Sequence, residues 1–117
     1  HVVLAGSQWE KIARSHGVKV ARECYADRAV TPEGTLVPRS QPGAVVHDPN
    51  EVIARSLKLA TEGKVNAVDG TEIDFSADSI CLHGDTDGSV QLAAGVRSTL
   101  ESAGVEVTPM HELLSGI

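Results

Sequence analysis

The chain has 117 residues, about one domain, and a formal net charge of −6. That balance argues against nucleic acid, because phosphate recognition needs a concentrated basic surface. Apolar residues at 41% and charged residues at 22% are ordinary for a soluble globular protein. No apolar run approaches the roughly 20 residues of a membrane span, and no basic-then-apolar leader opens the sequence, so the expected setting is the cytoplasm.

Aromatic residues are limited to Trp9, Tyr25 and Phe75, so a core of Val, Leu, Ile and Ala is expected. Residues 2–5 (VVLA) read as a buried strand, followed by Gly6-Ser7 as turn and helix cap. In the helix that follows, Trp9, Ile12, Ala13 and His16 fall on one face, and Gly17 closes it. Residues 18–25 form a second strand candidate. Residues 26–47 hold Pro32, Gly34, Pro38, Pro42 and Gly43, a loop long enough to be functional or disordered rather than idle.

Asp48-Pro49-Asn50-Glu51 is a helix start with an Asp cap and Pro at the first helical position. Val52, Ile53, Leu57 and Ala60 are expected on its buried face, with Gly63 as its end. Residues 65–75 read as a hairpin around Asp69-Gly70. Residues 79–82 form a strand, residues 89–103 a helix with Leu92, Val96, Leu100 and Ala103 inward, and residues 105–107 a last strand. Cys24 and Cys81 are expected as free thiols buried in strands. The tail around His111 and Glu112 carries no pattern that assigns it a role.

Strands alternating with helices predict right-handed parallel units, an α/β fold that is either an open sheet or part of a barrel. In both architectures ligands gather at the carboxyl ends of the strands. His83 and Asp85 lie at one such end, and Asp27 and Arg28 at another.

The runs CYADRAVTPEGTLVPRSQPGAVVHDP (24–49) and KVNAVDGTEIDFSADSICLHGDTDGSVQLAAGVRSTLESAGV (64–105) resemble the carboxy-terminal half of the LamB/YcsF family. The resemblance spans nearly all of the chain. Its members are described as the A subunit of a bacterial 5-oxoprolinase. The resemblance implies a cytoplasmic polypeptide that, with partner subunits B and C and with ATP, opens the lactam of 5-oxoproline to L-glutamate. It also implies an irregular (β/α) barrel of the polysaccharide-deacetylase type. The chain then represents a single α/β unit, residues 1–117, the carboxy-terminal half of a longer barrel domain. The family's amino-terminal D-L-N-C-D and G-F-H-A-G-D motifs have no counterpart here, so the piece is expected to be inactive alone. Half a barrel bares strand edges, which invite self-association.

Each candidate also has a structural reading. Asp85, Thr86 and Asp87 are all good helix caps. With the family's HGD, a His and a carboxylate at a helix start can instead place a proton acceptor beside an anion-favouring pocket. Asp27-Arg28 reads as a salt-bridged turn or, matching the family's A-D-R, as a second catalytic contribution. Arg39 is either a solvated loop residue or a fork for a substrate carboxylate or phosphate. His47 either folds back on Asp48 or, matching the family's H-D, faces substrate. His16 is read as structural, favoured by a helix carboxyl end. No phosphate-loop pattern is present, and the two cysteines lack metal-ligand spacing. A metal held by His83, Asp85 and Asp27 is conceivable but too few ligands are visible to assert one. A contrasting reading is a non-catalytic α/β module that binds a small anion or a partner subunit.

Overall fold

The computed structural model describes residues 1–85 and 87–115. Its centre is a parallel sheet of β1 (Val2–Leu4), β2 (Ala21–Tyr25) and β5 (Ser79–Cys81), in the order β1-β2-β5. Between β2 and β5 lie α2 (Pro49–Glu62) and an antiparallel hairpin of β3 (Lys64–Asn66) and β4 (Glu72–Asp74). α1 (Gln8–Ser15) makes the first crossover, and α3 (Ser89–Ser102) and α4 (Met110–Ser115) follow β5. The parallel strand-helix units are the α/β arrangement expected, and the open three-stranded arc is consistent with part of a barrel.

Local chemistry explains most of these boundaries. Ser7 accepts the Glu10 amide at the start of α1. Asp48 accepts the Asn50 amide with Pro49 at the first helical position of α2. Gly63 ends α2 in the left-handed conformation at φ 64°, where a side chain would be strained. α2 and α3 pack closely because position 95 has no side chain: a Cβ there would sit 3.1 Å from Ile53 Cδ1. One core cluster joins Cys24, Val30, Leu59, Val65 and Phe75 beside the hairpin. A second joins Ala26, Val52, Val96 and Leu100 between the sheet and the two long helices.

Several expectations are corrected. Trp9 and Ile12 are 63% and 58% exposed, and His16 is exposed as well. α1 rests on Val3 and Val20 through Ala13, so the rest of its apolar face overhangs the sheet. β2 begins at Ala21 rather than at position 18, and Val18 is exposed. Ala60 and Ala103 are exposed, while Ser56 and Leu59 are buried on α2. The hairpin closes through residues 68–70 rather than a two-residue turn, because beyond the Asn66–Glu72 pair the Ala67 amide donates to the Thr71 carbonyl at 2.7 Å. Residues 105–107 form no strand. Among the described residues they pair in no ladder, and Val105 and Val107 line a groove together with Ser79 and Ile80 of β5. The tail left unassigned is the short helix α4, whose Glu112 and Leu113 amides bond the Pro109 carbonyl. Cys24 is buried but Cys81 is only half-buried, and both thiols are free.

The long loop is folded rather than loose. Arg28 bridges Val45, and Val30 bridges Leu36. The Ala29 amide donates to the Ala44 carbonyl at 2.9 Å and the Val37 amide to the Ala29 carbonyl at 3.0 Å. Ala29, Val37 and Ala44 form a small core of their own. These bonds carry the chain from the carboxyl end of β2 back to the start of α2.

Candidate active site

The ladder between β2 and β5 sets the site. Tyr25 pairs with Cys81, and the Ala26 amide continues the ladder to the Cys81 carbonyl at 3.1 Å. Asp27 therefore leaves the sheet beside His83. Nδ1 of His83 lies 2.9 Å from Asp27 Oδ1 and 3.1 Å from Oδ2. A carboxylate oxygen accepts and the ring N–H donates, so Nδ1 is the nitrogen that carries a proton in this contact, and in a neutral imidazole the lone pair is then on Nε2. The two side chains are 29% and 13% exposed, dry enough to hold the geometry and open enough to meet a solute. The Tyr25 ring meets the His83 imidazole edge-on at 5.4 Å. Burial, and next the nearby Glu23, push the Tyr25 hydroxyl's pKa upward, so it stays a neutral phenol.

Asp27 and His83 line a pocket of about 360 Å³ together with His47, Ile53, Asp87 and Leu92. That size suits a small molecule. Gly88 and Ser89, the N-cap and first residue of α3, also line it. Gly88 is the N-cap at φ 79°, and among the described residues no side chain caps the helix. Free backbone N–H groups and the positive end of the dipole thus border the pocket, an environment that favours developing negative charge.

Of the candidates, Asp27, His47 and His83 line this pocket, whereas Asp85, Arg28 and Arg39 do not. Asp85 is exposed, does not line the pocket and does not cap α3, whose N-cap is Gly88. Asp87, read from sequence only as a cap, lines the pocket and caps nothing. Thr86 lies outside the described residues. Arg28 is buried and its Nη2 donates to the Val37 carbonyl at 2.9 Å, so its visible task is to tie down the long loop. Arg39 sits in an exposed turn and does not line the pocket. His16 is the C-cap of α1, with Nδ1 2.9 Å from the Ile12 carbonyl, the structural place expected for it. Among the described residues no group of three or more His, Cys, Asp or Glu is arranged to hold a metal, so His83, Asp85 and Asp27 do not form a ligand set.

Comparison with known proteins bears on this arrangement. The model of the LamB/YcsF family matches residues 1–115. The 5-oxoprolinase A subunit of Paracidovorax citrulli is 52% identical over 108 residues, covering 92% of this chain and 43% of the relative. That of Pyrococcus furiosus is 45% identical over 113 residues, covering 97% and 44%. The crystal structure of a lactam utilization protein from Thermus thermophilus superposes with a TM-score of 0.83 at 43% identity, covering 91% of this chain and 42% of that one. The chain thus spans a little over two-fifths of the length of these relatives.

Proposed function

The chain belongs to the LamB/YcsF family, and from that premise we propose that it is the carboxy-terminal part of the A subunit of a 5-oxoprolinase. In this reading it works in the cytoplasm with partner subunits B and C and supplies an acid/base group for opening the lactam of 5-oxoproline. The observation that carries the proposal is the His83–Asp27 pair facing a pocket of small-molecule size.

Asp27 fixes the imidazole tautomer and steadies the ring when it becomes charged. Nε2 of His83 then takes a proton from the water that adds to the lactam carbonyl, and returns one to the departing nitrogen. The start of α3, with no side-chain cap among the described residues, borders the same pocket and would stabilise charge developing on the carbonyl oxygen. The family's use of ATP finds no cradle in this pocket. Its lining includes two carboxylates, Asp27 and Asp87, and neither lysine nor arginine, which is unsuited to a triphosphate. We place the nucleotide elsewhere in the complete enzyme and route no step through it.

The test is His83→Ala in the full-length protein, measured with its partners and ATP. Turnover is expected to fall about 10² to 10⁴-fold with little change in melting temperature. Normal turnover in a stable variant removes His83 from the mechanism.

A second reading, a non-catalytic interaction module, draws support from the exposed Arg39 and from the overhanging Trp9 and Ile12. Replacing Trp9 and Ile12 by Ser would then abolish partner binding while His83→Ala left turnover intact. The outer edges of β1 and β5, which have no further ladder partner among the described residues, support self-association of the isolated chain; a monomer in sedimentation at high concentration argues against it.

A further inference from the structure

Arg55 lies on α2, away from the pocket lining, and its guanidinium reaches under the backbone on both sides of Asp27. Nε donates to the Ala26 carbonyl at 3.2 Å. Nη2 donates to the Tyr25 carbonyl at 3.3 Å and to the Arg28 carbonyl at 2.7 Å. The carbonyl between them, of Asp27 itself, is held separately by the Val46 amide at 2.8 Å. All four carbonyls from Tyr25 to Arg28 are therefore engaged, three of them by one side chain. Both groups that hold the His83 ring, the Tyr25 ring and the Asp27 carboxylate, spring from this pinned segment.

A simple helix-to-sheet clamp would not require this arrangement. α2 is already seated by Val52, Ser56 and Leu59, all buried. Among the described residues Arg55 forms no ion pair, and its charge is satisfied by carbonyl oxygens alone. Burial pushes its pKa down, yet the attraction of charges that include Asp27 opposes that shift, and a guanidinium stays protonated in any case. Three carbonyls converging on one planar fork force the chain to turn at Asp27. That turn sets where the carboxylate points.

We propose that Arg55 is a positioning residue, which acts through the backbone of residues 25–28 to hold Asp27 and Tyr25 against the His83 imidazole. The catalytic consequence rests on the acid/base reading above, but the geometry can be tested without it.

In the chain itself, the His83 Nδ1–H proton is expected as a downfield, slowly exchanging NMR signal. Arg55→Lys keeps the stem and the charge but loses the fork, so that signal should broaden or vanish while circular dichroism remains that of a folded protein. In the full-length protein with its partners, the same variant should lower kcat about 10²-fold with KM changed little. A purely structural Arg55 would lower the melting temperature and leave the His83 signal in place. That result in folded Arg55→Lys overturns the proposal. So would a wild-type spectrum without scalar couplings from Arg55 Nε to the Ala26 carbonyl, a measurement that needs no variant. If His83→Ala proves fully active, the functional reading fails, while the His83 signal in Arg55→Lys still decides the positioning role.

Discussion

β2 and β5 are tied together by a polar pair at each end, and in both pairs the partners are 56 residues apart in sequence. At the amino ends, Arg22 Nη2 meets Asp78 Oδ1 at 2.9 Å and Nε meets Oδ2 at 3.0 Å. The Arg22 amide also donates to Oδ2, and the Asp78 amide donates back to the Arg22 carbonyl. At the carboxyl ends, Asp27 receives one nitrogen of His83, and both residues line a pocket. The first pair commits both carboxylate oxygens to holding two segments in register. The second engages only Nδ1 and leaves Nε2 without a hydrogen-bond partner among the described residues. A buried or half-buried polar pair becomes a candidate for chemistry when one of its atoms remains uncommitted beside a space a substrate can enter.

The sharpest way to break this contrast is Asp27→Asn in the full-length protein. It keeps the shape but loses the charge and replaces one of the two acceptor oxygens by an NH2 donor, so the His83 tautomer is no longer fixed and turnover should fall about 10² to 10⁴-fold, with a small change in melting temperature. Turnover within a few-fold of wild type would make the carboxyl-end pair as structural as the amino-end pair.

Asp78→Asn should do the opposite. Removing the charge from a bidentate pair is expected to cost about 1 to 2 kcal/mol in denaturant unfolding, held down by the partial exposure of Arg22. No loss of kcat beyond the loss of folded protein should accompany it. The same pair carries a pH signature. The Arg22 hydrogen bonds hold the Asp78 carboxyl below its usual pKa. Its stabilisation is therefore complete above the unfolded value, near pH 4, and fades as pH falls through the lowered folded value. Unfolding curves of Asp78→Asn and wild type should converge at acid pH, and a gap that persisted there would show that the charge is not what stabilises.

The smallest effect is expected at Asp85. Exposed, and neither capping α3 nor lining the pocket, it should tolerate Asn within about 0.5 kcal/mol in thermal unfolding. A larger loss would reveal a contact of Asp85 with the segment around position 86. A loss of turnover without one would bring Asp85 into the site.

Along the chain, β1, α1, β2, α2, β5 and α3 were legible because each carries its own local cause. The Asp48-Pro49 start and the Gly63 stop of α2 are short-range stereochemistry, visible wherever the residues occur. The alternation of strand and helix required parallel crossovers, and these put Asp27 and His83 at strand ends. The HGD and ADR runs carried the family resemblance. For Asp85 the sequence offered a catalytic carboxylate beside His83 or a helix cap, and the cap reading fails because the N-cap of α3 is Gly88.

What only the tertiary structure decided are the relations between distant segments. That Asp27 meets His83 follows from the register of β2 against β5, a one-residue matter that flips which side chains face each other. Residues 105–107 have every local mark of a strand, but a strand exists only where another backbone completes its hydrogen bonds, and among the described residues none does. Trp9 and Ile12 follow a helical period yet lie exposed, because periodicity names an apolar face without saying what covers it. Arg55 carried no signal at all. Its role consists of three carbonyls from another segment, and backbone oxygens are the same at every position of a sequence.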